Sequence, residues 1–202
     1  MKKAKVNIKG FEIYKGYLDS NSQVELLAAI RGIAKAAPLF SPVTPSGKKM
    51  SVQMTSSGQY GWVSDRNGYR YSPCHPNGVQ WPPIPKVLLQ PWKELISAER
   101  EPDTCLINYY GLATKMGMHQ DKDEKDFTWP VLSISLGDSG LFRMGNENRG
   151  GSTQSIWLDS GDLVVMGGEA RLKFHGIDRI RFQSSQLLKN AGRINLTMRV
   201  VK

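Results

Sequence analysis

The sequence predicts an α+β protein, a β-sandwich or jelly roll with supporting helices. Three observations carry this reading. Helical patterning is confined to the first half of the chain, short β-type segments follow one another from Cys105 onward, and glycines separate those segments. With 202 residues and 40% apolar content, the chain is sized for one compact domain, 1–202, with a real core. It carries no internal repeat and no low-complexity tract.

Taken in order, the N-terminus is basic but lacks the apolar stretch of a secretory signal. Ser20, Asn21 and Ser22 offer helix caps, and Val24, Leu27, Ile30, Ala34 and Ala37 follow at helical spacing until Pro38 ends the run. Residues 39–85 are rich in Gly, Pro and Ser yet hold Tyr60, Trp62, Tyr69, Tyr71 and Trp81, too many aromatics for a disordered linker. They predict short strands and ordered loops. Prolines at 82, 83 and 85 punctuate the chain before a second helix over 86–99. Strands are expected at 105–110, 131–136, 140–144, 155–158, 162–166, 171–174 and 194–200.

Charge and cysteine usage bound the function. Lys and Arg number 27 against 18 Asp and Glu, a net charge of +9. That excess suits an anionic partner, nucleic acid being the commonest, or simply a soluble basic protein. Cys74 and Cys105 stand far apart, which excludes a zinc knuckle or a CxxC redox motif and points to a reducing cytoplasm. No apolar run approaches the roughly 20 residues of a membrane span, so no membrane partner is expected.

Histidine is scarce, with three in the chain. In His119-Gln120-Asp121 an extended backbone turns the imidazole and the carboxylate to one side and Gln120 to the other. The segment follows the apolar strand at 106–110, and His175 comes after Leu172-Lys173-Phe174. Two imidazoles and one carboxylate leave a facial set of open positions, the arrangement of non-haem Fe(II) oxygenases. Chance spacing of surface histidines is the alternative. His75, in a Pro-flanked loop, reads as structural or solvated.

On the last strand Arg193, Asn195, Thr197 and Arg199 alternate with Ile194, Leu196, Met198 and Val200. The polar face is either a solvated outer surface or a dicarboxylate clamp, each guanidinium gripping a carboxylate through paired N–H donors. Asn108 and Tyr110 share one face of the earlier strand, and both can donate to carboxylate oxygens.

Together these residues resemble the AlkB family of Fe(II)/2-oxoglutarate-dependent nucleic-acid demethylases. The resemblance rests on Leu106-Ile107-Asn108-Tyr109-Tyr110, on His119-Gln120-Asp121-Lys122-Asp123-Glu124, and on the blocks at 133–137, 161–168 and 193–199, all in the family's order. Gly61-Trp62 and the run from Gly68 to Pro73 extend it upstream, so that it covers about residues 40–200. Met166 stands where the family often carries Trp, and the stretch before the first helix is short.

The resemblance implies a double-stranded β-helix, a jelly roll over about 105–200, with an N-terminal nucleotide-recognition lid at about 40–85. It implies Fe(II) on His119, Asp121 and His175, and dioxygen as the oxidant. The 2-oxoglutarate co-substrate is expected on Arg193, Arg199, Asn108 and Tyr110, with Asn195 and Ser133 nearby. The implied reaction demethylates N1-methyladenine and N3-methylcytosine in single-stranded DNA or RNA and releases formaldehyde, succinate and CO2. Trp62 is expected as the stacking platform, Tyr69 and Asp123 near the lesion, and Met54, Lys122 and Arg149 as further substrate contacts. Core or lid packing is the alternative role for Trp62 and Tyr69. The expected form is a cytoplasmic monomer. Two rivals stay open: a dioxygenase of the same fold that hydroxylates a protein or small molecule, and a non-enzymatic basic β-rich module that binds nucleic acid.

Overall fold

A computed structural model describes residues 4–112 and 114–202. In chain order the elements are β1 (Lys5–Ile8), β2 (Phe11–Tyr14), α1 (Ser20–Ala36), β3 (Gln53–Gly58), β4 (Gly61–Asp65), β5 (Gly68–Ser72), α2 (Lys86–Leu95), β6 (Thr104–Tyr110), β7 (Met116–His119), β8 (Val131–Gly137), β9 (Ser139–Met144), β10 (Gln154–Leu158), β11 (Leu163–Met166), β12 (His175–Arg181) and β13 (Arg193–Arg199). Seven strands form a major sheet in the order β1-β2-β11-β8-β13-β6-β3, and four form a minor sheet in the order β10-β9-β12-β7. β4 and β5 make a separate hairpin.

Alternation along the central strands sorts the core into two layers. Leu132, Ile134 and Leu136 of β8 and Leu196 and Met198 of β13 pack with Leu26, Leu27, Ile30 and Ile33 of α1 and Leu88 and Trp92 of α2. The opposite layer joins Phe11, Ile13, Met54, Leu106, Val131, Val164 and Met166 of the major sheet to Phe142, Met144 and Ile177 of the minor sheet. Ser133, Ser135, Asn195, Thr197, Arg193 and Arg199 belong to this inter-sheet face. They are a polar strip inside an apolar sandwich, which is where a small polar ligand can sit.

Several elements differ from the sequence expectation, each for a local reason. The expected 171–174 strand is a turn: a short 3-10 segment (Gly168–Ala170) is followed by Lys173 N–H donating to Ala170 O at 3.1 Å. The strand starts instead at His175 and runs through Asp178, Arg179 and Arg181, whose charges hide its period. α1 is capped by Asp19, whose side chain accepts from Ser22 N–H, and its inner face is Leu26, Leu27, Ile30 and Ile33 while Val24 is exposed. α2 stops at Leu95, short of 99, where Trp92 Nε1 donates to Arg100 O at 2.7 Å and folds the chain back. The β1–β2 hairpin was not expected. Its turn is Lys9-Gly10, both at positive φ (52° and 85°), a primed turn made with Lys in place of the usual Asn or Asp.

The major sheet also draws strands from outside 105–200. β3, from the stretch expected to be lid, pairs with β6 over six residues, and β2 pairs with β11. Among the described residues, no helix is long and apolar enough to cross a membrane.

Candidate metal and co-substrate site

His119 ends β7 and His175 begins β12, and antiparallel pairing sets the two directly opposite one another. Asp121 lies in the loop after β7. One ligand atom from each of the three lies within 4.8 Å of the others. His119 Nε2 is 3.8 Å from Asp121 Oδ1, and His175 Nε2 is 3.8 Å from Asp121 Oδ2, too long for hydrogen bonds. Each ring has a carbonyl behind it. Nδ1 of His119 lies 2.9 Å from Gly117 O, and Nδ1 of His175 lies 3.1 Å from Lys173 O. With Nδ1 donating to a carbonyl, each Nε2 keeps its lone pair and turns it toward Asp121.

Electrostatics keep this donor set ready for a cation. Burial alone would raise the Asp121 carboxyl, but the Arg199 guanidinium, with Nη2 2.9 Å away, outweighs it and holds it well below the usual carboxylate range. Burial, then the neighbouring His119, pulls His175 down to about 4, so its imidazole is neutral at physiological pH. Two imidazole nitrogens and one carboxylate fit a divalent transition-metal ion with open coordination positions.

The polar strip beside it fits a dianion. Arg193 is completely buried; its Nη2 donates to Ser135 Oγ at 2.6 Å, and its Nη1 to Leu158 O at 3.2 Å and Asp138 O at 3.3 Å. Burial lowers Arg193 to about 10, still protonated at neutral pH. Arg199 is held above its usual value: Asp121, Tyr71 and Glu124 outweigh the effect of burial. Its Nη2 lies 2.9 Å from Asp121 Oδ2 and its Nε 3.3 Å from Glu124 Oε1, out of line for good hydrogen bonds, so these contacts are ionic. Arg193 Nε, Arg199 Nε and Nη1, Asn108 Oδ1 and Thr197 Oγ1 are buried without hydrogen-bond partners among the described residues. Donors stranded in a low-dielectric strip are costly unless a ligand meets them. Asn195 Nδ2 donates to Ser133 Oγ at 2.7 Å, and Tyr110 Oη reaches Met116 Sδ at 3.6 Å.

All fifteen residues singled out from sequence line one cavity of about 510 Å³. Met54 forms part of its buried wall, while Lys122, Asp123 and Arg149 stand exposed. Trp62 and Tyr69 stack from β4 and β5, with centroids 5.5 Å apart and planes 16° apart. Trp62 Nε1 donates to Asp123 Oδ2 at 2.8 Å, which joins the hairpin to the loop of metal ligands. The core-packing alternative does not hold for Tyr69, which is 51% exposed. His75 is buried, bonded to Asn77 and Pro38 O and packed between Phe40 and Trp81, a structural role.

Sequence reasoning missed Arg171, Tyr71 and the role of Glu124. Glu124 is buried against Tyr71, Arg171 and Arg199. Arg171 was hidden in a segment expected to be a strand. It also missed Ser135 and Gly140; the latter leaves room for Arg193, whose Nε lies 2.9 Å from where a Cβ would stand.

A jelly roll with an imidazole–carboxylate donor set beside a buried arginine strip defines a metal-dependent oxygenase that uses an acidic co-substrate. The family model described as the 2OG-Fe(II) oxygenase superfamily matches residues 10–199. The chain is 48% identical over 193 residues to the alpha-ketoglutarate-dependent dioxygenase AlkB homolog of Caulobacter vibrioides, covering 95% of this chain and 88% of that one. It is 38% identical over 184 residues to alpha-ketoglutarate-dependent dioxygenase AlkB of Escherichia coli, covering 89% and 85%. The solved structure of OsALKBH1 superposes with a TM-score of 0.85 at 31% identity, covering 98% of this chain and all of that one. The chain therefore belongs to the AlkB family within the 2OG-Fe(II) oxygenase superfamily, and it is a dioxygenase that uses Fe(II), 2-oxoglutarate and dioxygen.

Proposed function

We propose that this chain, an oxidative nucleic-acid demethylase, acts on N1-methyladenine and N3-methylcytosine in single strands of DNA or RNA, with release of formaldehyde, succinate and CO2. The observation that carries this reading is the docking of an aromatic hairpin onto the metal loop, with Trp62 bonded to Asp123 two residues from Asp121.

In this reading His119, Asp121 and His175 hold Fe(II). With 2-oxoglutarate and dioxygen, the bound iron supplies the oxidising power to hydroxylate a methyl C–H bond. The chain's own residues bind and orient. Arg199, beside Asp121, suits the metal-side carboxylate of 2-oxoglutarate, and the deep Arg193 suits the distal one. Asn108 and Tyr110 flank it, with Ser133 and Asn195 behind. Met54, Leu106, Phe142 and Met166 wall the cavity with apolar surface and exclude water.

Trp62 and Tyr69 stack on the extruded base; each such contact is worth about 1–3 kcal/mol. Alkylation removes Watson–Crick pairing and so lowers the cost of extrusion. Asp123 keeps one carboxylate oxygen for the cationic ring after Trp62 takes the other. Lys122 and Arg149 meet phosphates at the rim. The recognition lid is the β4–β5 hairpin with its flanking loops. A cytoplasmic monomer completes the reading.

The test is anaerobic binding of Mn(II) and 2-oxoglutarate, then turnover of a 1-methyladenine oligonucleotide with Fe(II) in air. Formaldehyde release supports the reading. Co-substrate binding without formaldehyde from either methylated DNA or methylated RNA would refute it in favour of another hydroxylation target.

A further inference from the structure

Glu124 is a carboxylate with a side chain 1% exposed, and it touches three parts of the molecule. Its Oε1 accepts from the Tyr71 hydroxyl on β5 and lies 3.3 Å from Arg199 Nε on the sandwich floor. Its Oε2 accepts from Arg171 Nη2 at 3.1 Å. Arg171, 3% exposed, is not among the cavity-lining residues, so it serves no ligand directly. The rest of its guanidinium is spent on backbone: Nη1 donates to Asp121 O at 2.6 Å and Nε to Trp129 O at 2.9 Å. Arg171 comes four residues before His175. One side chain thus ties the segment carrying one metal ligand to the backbone of another. The hairpin meets the same loop twice, at Asp123 through Trp62 and at Glu124 through Tyr71.

We propose that Arg171 and Glu124 are a positioning pair that fixes the 119–124 loop and joins it to the β4–β5 hairpin, so that the metal site and the base-recognition lid keep one relative geometry. Arg171 fixes the loop itself: its planar fork meets three acceptors in three directions, which a lysine cannot reproduce. Tyr71 transmits that position to the hairpin. The lid half of the proposal rests on the nucleic-acid reading above; the metal half does not.

The experiment measures Mn(II) affinity by anaerobic titration for wild type, Arg171→Lys, Tyr71→Phe and Leu27→Ala. Leu27→Ala is a core truncation on α1, remote from the loop, that controls for lost stability, with thermal unfolding recorded for each variant. Outer partners of metal ligands typically hold about 10- to 100-fold of affinity. Arg171→Lys is expected to lose that much, while Leu27→Ala stays within about 2-fold at matched folded fraction. Unchanged Mn(II) affinity in folded Arg171→Lys overturns the loop half, whether or not the wild type demethylates any strand.

Tyr71→Phe tests the other half and also serves if Arg171→Lys does not fold. It is expected to keep Mn(II) affinity within about 2-fold and to raise KM for a methylated oligonucleotide by about 10-fold with a smaller change in kcat. A KM equal to wild type, or a loss of Mn(II) affinity equal to that of Arg171→Lys, overturns the coupling. If the wild type turns over no methylated strand, nucleic-acid demethylation fails as a reading and the metal titrations still decide the role of Arg171.

Discussion

Adding one methyl group at Gly140 tests the co-substrate strip from its back wall. A Cβ built there lies 2.9 Å from Arg193 Nε and 3.1 Å from both Cδ and Cζ. Ordinary contacts begin near 3.4 Å, so something must move by a few tenths of an ångström. Arg193 cannot yield easily, because it is completely buried and donates to Ser135 Oγ at 2.6 Å, with Leu158 O and Asp138 O on its other arm. Overpacking a tight interior costs about 1–3 kcal/mol. If the guanidinium is pushed off its seat, much of that cost falls on co-substrate binding, about 5- to 150-fold in Kd. The assay is anaerobic isothermal titration of 2-oxoglutarate into the Mn(II)-loaded protein, wild type against Gly140→Ala, with thermal unfolding alongside. Mn(II) affinity should hold, because Gly140 does not touch the triad. Unchanged 2-oxoglutarate affinity in a folded Gly140→Ala protein would remove Arg193 from the co-substrate site.

The two arginines should separate. Arg193→Ala is expected to lose 2-oxoglutarate binding and spare Mn(II), whereas Arg199→Ala also leaves Asp121 and Glu124 as buried carboxylates short of a cation, a cost of about 3–5 kcal/mol shared among stability, metal and co-substrate; titration of both ligands into both variants checks this, and identical profiles would contradict it. Trp62→Ala should stay folded, since Trp62 is half-buried, and should lose about 5- to 150-fold in turnover of methylated strands while keeping its salt-dependent affinity for unmodified ones; normal demethylation by the folded variant would move the base elsewhere. Burial pushes the Cys105 thiol up to about 12, so below that pH it stays a neutral thiol. Iodoacetamide at pH 8.5 should therefore modify half-buried Cys74 and spare Cys105, by peptide mass mapping of the folded protein, and equal labelling of both would contradict the packing of β6.

Much of the sandwich was legible because its central strands are apolar, glycine-bounded and in register with their period. β6, β8, β9, β10, β11 and β13 begin or end within a residue or two of expectation. The β12 strand was not, because three of the four residues in its outer half, Asp178, Arg179 and Arg181, are charged and only Ile180 keeps the apolar alternation. The N-terminal hairpin escaped because two four-residue strands carry too little pattern, although Phe11 and Ile13 are fully buried. The metal triad, the two arginines and Asn108 with Tyr110 shared one signal, polar types at strand spacing, whereas the substrate residues such as Trp62, Tyr69 and Met54 came from the family resemblance alone. What stayed hidden was the support behind them. Nothing in the local sequence says that Arg171 reaches Asp121 O, because that contact spans fifty positions and depends on a turn where a strand was expected. The strip at 193–199 could be weighed as a solvated face until both its arginines proved buried, at 0% and 5% exposure.

The central claim is that one cavity couples 2-oxoglutarate oxidation to removal of a methyl group from a nucleic-acid base. The most direct measurement is paired quantitation of succinate and formaldehyde from wild-type protein with Fe(II), 2-oxoglutarate and air, with and without a single-stranded oligonucleotide bearing one 1-methyladenine. The account predicts formaldehyde and succinate in near-equal amounts, both dependent on the methylated strand and both lost in His119→Ala. Succinate formed at the same rate without the strand, and no formaldehyde with it, would contradict the account.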